Sequence, residues 1–433
     1  MSSLAEAPLA LFVLQAISIV GLSRLLGSVA RAIGQPMVVA EIAVGVALGP
    51  SLFGWLAPGA FAAVFPPSSL APLGLLSQVG LLLFMFLIGL EFDPQLLKGR
   101  GRASIAISHA SIAAPFGLGT LLALYLYPRV APAHVSFLPF ALFLGAAMSI
   151  TAFPVLARIL VERGLLDSRV GMLTLACAAV DDVTAWCILA FVVAVVRESG
   201  TSAFWTCALA LAYIGFMCVV IRPLLMRLAR YGEAKGHGAT DNYLAVILLL
   251  ALLSAWITER IGIHALFGAF LLGAVAPRTD GFAKRVAGKL ETVVVVLLLP
   301  LFFAFSGLRT DLQLLNSPES WWMCGLIVFV ACLGKFGGSS VAARLSGLSW
   351  REASTLGILM NTRGLMELIV LNTGLELGVI SPKLFTMMVI MAIITTFMTT
   401  PLVLKLYPRR LAKPAEDVAS FTLLESPVRE PSP

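Results

Sequence analysis

Charged side chains are scarce in this chain of 433 residues. Asp, Glu, Lys and Arg make up 12% of it and 59% is hydrophobic, whereas about 25% charged residues is usual for a soluble domain. The mean hydropathy of +0.97 leaves too little polar surface for a water-soluble protein. The composition therefore excludes an ordinary globular domain and indicates a polytopic membrane protein with little soluble mass.

The residue types that build metal, disulfide and catalytic sites are also few. The six cysteines lie in apolar segments without metal-ligand spacing, and the four histidines are scattered. The chain has no nucleophile motif and no glycine-rich phosphate-binding motif after a strand pattern. We therefore expect neither an enzyme nor a resident cofactor, and we expect the cysteines to be small buried apolar residues.

Apolar segments recur along the chain with polar breaks between them. A helix needs about 20 mainly apolar residues to cross the hydrocarbon core of a bilayer. On this criterion the sequence predicts an all-α fold of about 13 transmembrane helices. They lie near 8–28, 37–55, 71–91, 103–127, 136–159, 170–196, 202–221, 242–259, 262–277, 291–308, 321–343, 353–375 and 384–407. The ninth, at 262–277, is the weakest because it is short.

Basic residues are distributed unevenly between the predicted loops. When alternate loops are assigned to opposite sides, 23 of the 30 Lys and Arg share the side of the C-terminus and five lie opposite. This bias follows the positive-inside rule, so we expect the N-terminus outside and the C-terminus in the cytoplasm. The net charge of +7 then faces anionic lipid rather than nucleic acid. The first apolar segment lacks the basic n-region of a cleavable signal peptide.

Two adjacent aspartates, Asp181 and Asp182, lie in the middle of the sixth predicted span. A carboxylate near the bilayer centre costs on the order of 3 kcal/mol, and neighbouring carboxylates repel each other. Three more charges lie at similar depth, namely Lys335 in the eleventh span and Arg363 and Glu367 in the twelfth. Opposite charges at one depth favour a shared polar centre between helices, and its default function is a proton or cation pathway.

Two predicted spans contain helix-breaking residues at this depth. In the fifth, Pro154 follows Ser149 and Thr151, whose hydroxyls could bond the carbonyl groups that a proline leaves free. In the twelfth, the polar and flexible residues 361–364 occupy the corresponding place. Non-helical backbone is tolerated inside a membrane only where it is buried in protein or lines a cavity. The matched pair therefore indicates two discontinuous helices.

The fourth to sixth spans resemble the eleventh to thirteenth in order. Six spans lie between the members of each corresponding pair, so the two triplets run in opposite directions through the membrane. Inverted repeats whose broken helices cross at the midplane are a recurrent transporter design, with the transported ion bound at the crossing. We expect Arg363 and Glu367 to compensate the partial charges of the half-helix ends there.

At these residues the chain resembles the monovalent cation:proton antiporter-2 family. The matching stretches run in order through nearly all of residues 8–407. They are PMVVAEIAVGVALGPSLFG (36–54), LIGLEFD (87–93), SITAFPVLARIL (149–160), AAVDDVTAW (178–186), HALFGAFLLGA (264–274), LPLFFAFSGLRTDL (299–312), LGKFGG (333–338) and MNTRGLMELIVLNTG (360–374).

The resemblance implies a role for each charged residue of the sixth span. Asp182 resembles the carboxylate that binds cation and proton in turn, and Asp181 resembles the one that pairs with a membrane lysine, here Lys335. In sodium-selective relatives a glutamate lies two residues after the arginine of the twelfth span, where this chain has Leu365. Ion preference is therefore not carried over, and Na⁺ and K⁺ both remain open.

The expected function is secondary-active exchange of Na⁺ or K⁺ for protons by alternating access, serving pH homeostasis. Cation and proton compete at Asp182, and Asp181, Thr151 and Ser149 are expected to complete the binding site. A gated monovalent cation channel on the same scaffold is the alternative. An organic-anion symporter with a similar crossed-helix fold fits the acid-rich centre less well, and a sensor without transport is a further alternative that flux measurements distinguish.

The expected organisation is one membrane transport domain at 8–407. Its core bundle includes 103–196 and 321–407, and the remaining helices form a dimerisation scaffold, so that a homodimer is implied by the resemblance. The segment 412–433 is expected to be a short disordered cytoplasmic tail without a regulatory nucleotide domain. A bacterial inner membrane is the expected location.

Overall fold

The computed structural model describes residues 8–91, 101–165, 168–196, 200–234, 241–262, 264–277 and 282–407. Its first ten helices are α1 (Pro8–Ala32), α2 (Met37–Leu48), α3 (Phe53–Leu56), α4 (Pro58–Val64), α5 (Pro67–Glu91), α6 (Gly101–Val130), α7 (Phe137–Ser149), α8 (Phe153–Glu162), α9 (Arg169–Val196) and α10 (Gly200–Phe216). The others are α11 (Arg222–Ala234), α12 (Asp241–Ile261), α13 (Ala265–Val275), α14 (Phe282–Val293), α15 (Leu299–Leu308), α16 (Pro318–Cys332), α17 (Gly338–Leu345), α18 (Trp350–Met360), α19 (Leu365–Glu376) and α20 (Pro382–Leu406).

Short π-helical segments join three pairs of these helices into longer rods. Met217–Ile221 joins α10 to α11, Val294–Leu298 joins α14 to α15, and Leu333–Gly337 joins α16 to α17. A single turn of 3₁₀ helix follows α15 at Leu312–Leu314. The described part of the chain contains no β-strand.

The helices account for every predicted span. Within the described ranges, ten helices are long and apolar enough to cross a membrane. The fifth and twelfth predicted spans are each made of two shorter helices, α7 with α8 and α18 with α19. The ninth is α13, which has 11 residues and is buried along most of its length. The all-α polytopic fold is thus confirmed, and the short ninth element is a helix enclosed by its neighbours.

Close packing around α13 depends on two glycines. Gly273 of α13 lies against the backbone of α5, and a Cβ added there would overlap the carbonyl oxygen of Phe86. Gly89 of α5 faces α13 in the same way, against the carbonyl oxygen of Phe270. Small residues allow membrane helices to approach closely enough for dispersion forces to hold them together. This contact keeps the two helices in one position.

The two interrupted spans meet each other at their breaks. Residues 150–152 separate α7 from α8, and residues 361–364 separate α18 from α19. The backbone N–H of Ala152 donates to the carbonyl oxygen of Thr362 at 3.0 Å. A Cβ on Gly364 would lie 2.8 Å from Cγ2 of Val155, so a glycine is needed where the second break approaches α8. The predicted crossing of two discontinuous helices is therefore a direct contact.

Pro154 lies directly after the predicted break of the fifth span. It lies in the first turn of α8, not in the middle of a kinked helix. A proline in the first turn of a helix removes no intrahelical hydrogen bond, and its fixed φ suits a helix start. The residue thus suits the start of the new helix after the break.

The cysteines only partly follow the expectation of burial. Cys177 and Cys324 are buried, but Cys187 and Cys218 are exposed. The expectation is wrong for the exposed pair because an apolar residue on a membrane helix can face lipid tails as readily as protein. The tail predicted at 412–433 lies outside the described residues.

Replacing Gly273 by Val is expected to destabilise the protein by about 1–3 kcal/mol or more, because the added carbons overlap the backbone of α5. Gly325→Val is the matched control, since nothing lies within 4 Å of a Cβ added at Gly325 of α16. Unfolding by SDS in mixed micelles measures both variants. Equal stability of the two variants would contradict the packing described for α5 and α13.

Candidate functional site

The two aspartates lie side by side in the middle of α9. Asp181 is 1% exposed and Asp182 is 3% exposed, so neither carboxylate meets bulk water. Consecutive residues of a helix point about 100° apart. The two side chains therefore face different neighbours, and their surroundings differ accordingly.

Asp181 is surrounded by hydrogen-bond donors. Its Oδ1 accepts from Ser108 Oγ at 2.5 Å, and its Oδ2 accepts from Ser111 Oγ at 2.7 Å. Oδ2 also accepts from Thr151 Oγ1 at 2.8 Å and from Lys335 Nζ at 2.9 Å. An ionised carboxylate offers about four lone-pair positions. Four donors from three separate elements thus use the acceptor capacity of Asp181.

Asp182 has much less compensation. The backbone N–H of Phe153, which begins α8, lies beside its carboxylate. Its Oδ1 is buried and accepts no hydrogen bond from any described residue. The start of a helix carries a partial positive charge, which favours an anion there. Asp182 is thus a buried acid that the protein stabilises on one side only.

Lys335 connects Asp181 to the C-terminal end of α7. It lies in the π-helical segment Leu333–Gly337, and its side chain is fully buried. Its ammonium group donates to Asp181 and, at 2.6 Å, to the carbonyl oxygen of Ser149. Short π-helical segments are frequent at functional sites. The structure therefore brings the sequence-predicted lysine and aspartate together as a buried ion pair.

The end of α7 is held by two cations. The last carbonyl groups of a helix lack intrahelical partners and carry partial negative charge. Arg363 donates from Nη1 to the carbonyl oxygen of Ala147 at 3.0 Å and from Nη2 to that of Met148 at 2.5 Å. Lys335 bonds the next carbonyl group, that of Ser149. Three successive carbonyl groups of α7 thus have charged donors.

Arg363 is itself neutralised by Glu367. Arg363 Nη1 lies 2.7 Å from Glu367 Oε2, and both side chains are fully buried. Glu367 occupies the first turn of α19, where the helix dipole favours a negative charge. The backbone of Arg363 also exchanges two hydrogen bonds with the hydroxyl of Thr396 in α20. This pair therefore compensates the end of α7 at the first break and the start of α19 at the second, and it makes no hydrogen bond to the aspartates.

The two predicted hydroxyl residues have different positions. The structure brings Thr151 to Asp181, and its hydroxyl also lies 3.3 Å from the carbonyl oxygen of Met360. The hydroxyl of Ser149 instead donates to the carbonyl oxygen of Ala146 in its own helix, at 2.8 Å. Only the backbone of Ser149 takes part in the polar centre, through Lys335. The oxygen of the Ser149 hydroxyl keeps its lone pairs, so a cation-binding role for this side chain stays a prediction.

Sequence reasoning missed Ser108 and Ser111 of α6. Serines in an apolar span usually bond the carbonyl groups of their own helix, so a single one signals nothing. The available signal was spacing, since Ser104, Ser108 and Ser111 follow each other at intervals of four and three residues. Side chains at these intervals share one face of a helix. Such a polar stripe on the fourth span predicts that it faces the acidic sixth.

Comparison with known proteins decides the family of this chain. The family model described as sodium/hydrogen exchanger, transmembrane, matches residues 17–405. The chain belongs to the sodium/hydrogen exchanger family. This assignment confirms the predicted resemblance and makes the chain a multi-pass integral membrane protein of a transporter family.

Several known proteins are similar to this chain over most of its length. It is 48% identical to the Na⁺/H⁺ antiporter NhaS4 of Synechocystis, with 90% of this chain and 96% of the relative covered. It is 41% identical to cation/H⁺ antiporter 19 of Arabidopsis thaliana (94% and 51% covered) and 35% identical to K⁺/H⁺ antiporter 1 of Saccharomyces cerevisiae (97% and 50% covered). The chain thus spans about half the length of the plant and yeast relatives.

A solved structure shares the fold. The sodium proton antiporter MjNhaP1 of Methanocaldococcus jannaschii superposes with a TM-score of 0.62 at 16% sequence identity. The match covers 92% of this chain and 97% of the other. At this identity the likeness concerns the arrangement of helices, which supports the fold described above.

Arg363→Ala is expected to destabilise the protein by about 3–5 kcal/mol, because it leaves Glu367 as an unpaired buried charge. The control is Glu376→Ala, which removes the 43% exposed partner of Arg309 and should cost about 1 kcal/mol or less. SDS unfolding in mixed micelles measures both variants. Wild-type stability together with wild-type ion flux for Arg363→Ala would contradict the assigned compensation.

Proposed function

We propose that this exchanger moves Na⁺ or K⁺ against protons, with Asp182 as the acid that holds cation and proton in turn. The observation behind the assignment is the contrast between the two aspartates. Asp181 has four donors, whereas Asp182 is buried with one oxygen that no described residue bonds. The named Na⁺/H⁺ and K⁺/H⁺ antiporters among its relatives support exchange as the activity.

Competition at Asp182 follows from elementary electrostatics. A bare carboxylate away from water costs several kcal/mol unless a positive charge or a proton compensates it. Asp182 therefore binds either a proton or a cation, and the bound charge excludes the other. If the site changes sides of the membrane only when occupied, this exclusion couples the two fluxes.

The break between α7 and α8 supplies further oxygen atoms for the cation. Na⁺ and K⁺ are hard cations that prefer oxygen ligands, as Ca²⁺ and Mg²⁺ do. Residues 150–152 are non-helical and lie between α7 and α8, beside Asp182. We assign three kinds of protein oxygen to the ion. They are the carboxylate of Asp182, the hydroxyl of Thr151 and the backbone carbonyl groups of residues 150–152. Water completes the coordination.

Lys335 links the charge of Asp181 to the exchange step. We propose that Lys335 stabilises ionised Asp181 and releases its own proton when a cation binds nearby. Asp181 and Lys335 are hydrogen-bonded to each other and Asp182 is the next residue of α9, so a change of charge on one of the three acts on the other two. The number of charges moved in each cycle therefore depends on this lysine.

Alternating access is proposed to occur by movement of the core bundle against the scaffold. The residues described above for the polar centre lie within 103–196 and 321–407, in the parts of the chain from α6 to α9 and from α16 to α20. The remaining helices are assigned to the scaffold and to contacts between two copies of the chain. The positive-inside bias supports an outside N-terminus, and the cyanobacterial relative supports a bacterial plasma membrane.

A gated cation channel is not favoured, because the matched relatives are named antiporters. A channel passes ionic current without a proton gradient, whereas an exchanger moves protons only when a counter-cation is present. Recording in planar bilayers separates the two activities. Fluorescence-monitored proton flux in proteoliposomes, with Li⁺, Na⁺, K⁺ and Rb⁺ titrated across pH, then identifies the ion.

Asp182→Asn is expected to reduce cation-driven proton flux in proteoliposomes to the level of empty liposomes. The amide cannot be ionised, so it neither releases a proton nor neutralises a cation. Glu319→Gln is the matched control, since Glu319 is an exposed carboxylate at the start of α16, 62% accessible. Both variants should purify as folded protein. Retained exchange by Asp182→Asn would refute the site assignment.

Asp181→Asn and Lys335→Ala are expected to change the pH dependence or the charge moved in each cycle more than they change folding. Each removes one member of the buried ion pair, while the three hydroxyl donors remain. Proton flux as a function of pH, and current on solid-supported membranes, measure the two properties. Unchanged pH dependence and unchanged current in both variants would contradict the role of the pair.

A further inference from the structure

We propose that Arg309 and Glu376 are positioning residues for exchange, and that their ion pair holds the core bundle against the scaffold at one face of the membrane. The inference rests on the proposed function, in which these two parts move against each other. Arg309 directly follows α15, which is assigned to the scaffold, and Glu376 is the last residue of α19, which is assigned to the core. Arg309 Nη1 lies 3.0 Å from Glu376 Oε1. The pair therefore crosses the boundary at which the proposed movement takes place.

A buried hydrogen bond lies beneath the ion pair. Asn372 is one turn before Glu376 on α19, and its Nδ2 donates to Ser306 Oγ of α15 at 2.9 Å. Its Oδ1 accepts from Arg309 Nη1, also at 2.9 Å. Asn372 is 8% exposed and Ser306 is fully buried, whereas the side chains of Arg309 and Glu376 are 29% and 43% exposed. We call these four residues the boundary cluster, since they join α15 to α19 from the interior to the surface.

Each half of the boundary cluster is fixed to its own part of the chain. Gly307 of α15 lies against the backbone of α2, where an added Cβ would overlap the carbonyl oxygen of Ile42. Gly374 of α19 lies against the ring of Phe143 in α7, where an added Cβ would overlap as well. The scaffold thus holds α15 and the core holds α19. Movement of the core against the scaffold must therefore break the boundary cluster.

Helix α19 also connects the boundary cluster to the polar centre. It begins at the second break, with Glu367 in its first turn, and Glu376 lies nine residues later. These two positions are about 14 Å apart along one helix, at a rise of 1.5 Å per residue. A displacement of the crossing therefore carries the end of α19 with it. A contact of modest strength is enough to change the balance of two conformations, because these often differ little in free energy.

A second ion pair at the same face of the membrane provides a matched control. Only a short connection separates Arg309 from Glu319 in the first turn of α16. Glu319 lies 3.3 Å from Arg129 near the end of α6, and these side chains are 62% and 38% exposed. Each arginine also lies over an aromatic ring of its own helix, Arg309 over Phe305 at 4.6 Å and Arg129 over Tyr125 at 4.0 Å. Because α6 and α16 both belong to the core, the control pair does not cross the boundary.

The first test measures how often α15 and α19 separate. Ser306→Cys is introduced into a chain whose six native cysteines are replaced by alanine, and its reaction with a water-soluble maleimide is timed in nanodiscs. Because the side chain at 306 is fully buried, the labelling rate is proportional to the population in which the helices are apart. Arg309→Ala and Glu376→Ala should each raise this rate, on the order of fivefold, and the double variant should not exceed Arg309→Ala. Arg129→Ala should leave the rate unchanged.

Charge exchange distinguishes the ion pair from a general loosening of the helices. Arg309→Glu alone places two carboxylates opposite each other, so it should raise the labelling rate at least as much as Arg309→Ala. Adding Glu376→Arg restores opposite charges and should lower the rate toward that of the parent chain. A combined variant that is labelled as fast as Arg309→Glu alone would overturn the inference, because charge would then not hold the helices together.

The second test asks whether the separation belongs to the transport cycle. In the same cysteine-free chain, Arg309→Cys with Glu376→Cys are joined by a short bis-methanethiosulfonate, and Arg129→Cys with Glu319→Cys serve as the control. Joining α15 to α19 should reduce cation-driven proton flux in proteoliposomes to the level of empty liposomes, and a reducing agent should restore it. Joining α6 to α16 should leave exchange intact. Exchange that persists across the joined boundary, or an equal loss in both pairs, would overturn the inference.

Failure of this inference differs from failure of the proposed function. The proposed function fails through absent exchange in the wild-type protein or retained exchange in Asp182→Asn. The inference fails while wild-type exchange is present and Asp182→Asn is inactive. Its failure is then seen as unchanged labelling in Arg309→Ala or as continued exchange when α15 and α19 are joined.

Discussion

The compensation of two buried carboxylates is the constraint on which the rest of the structure depends. Adjacent negative charges in a site without bulk water are tolerated only if donors and cations surround them. The two aspartates differ in how fully this requirement is met. Asp181 has Lys335, Ser108 and Ser111 among its donors, whereas Asp182 keeps one oxygen unbonded by any described residue. This inequality in hydrogen bonding is the observation behind the proposal that Asp182 is the exchanging acid.

The broken helices belong to the same electrostatic arrangement. Each break produces a helix end with partial negative charge and a helix start with partial positive charge inside the membrane. Lys335 and Arg363 meet the carbonyl groups at the end of α7, while Asp182 and Glu367 lie at the starts of α8 and α19. Each of these side-chain charges thus lies next to a helix end of opposite sign. Removing any one of them leaves a neighbour uncompensated.

Outside this polar centre the helices are joined by a different kind of contact. Gly89 and Gly273 allow α5 and α13 to touch along their backbones, and Gly45 and Gly307 do the same for α2 and α15. Such contacts depend on shape and dispersion rather than on charge. A tightly packed set of helices beside a polar, hydrogen-bonded set fits the proposal that one part of the chain moves against the other. The glycine contacts would hold the scaffold rigid during that movement.

The amino-acid sequence by itself determined the thirteen spans, the two breaks and the charges at their centre, because apolar length, helix-breaking residues and buried charge are local properties. It could not show which hydroxyls reach the aspartates. Ser149, which is nearer to them along the chain, bonds Ala146, whereas Ser108 and Ser111 bond Asp181 from 73 and 70 residues away. Only the tertiary structure decided that α6 faces α9 there, and that Asp181 rather than Asp182 is saturated with donors. A hydrogen bond depends on distance and direction in space, which spacing along the chain does not specify for separate helices.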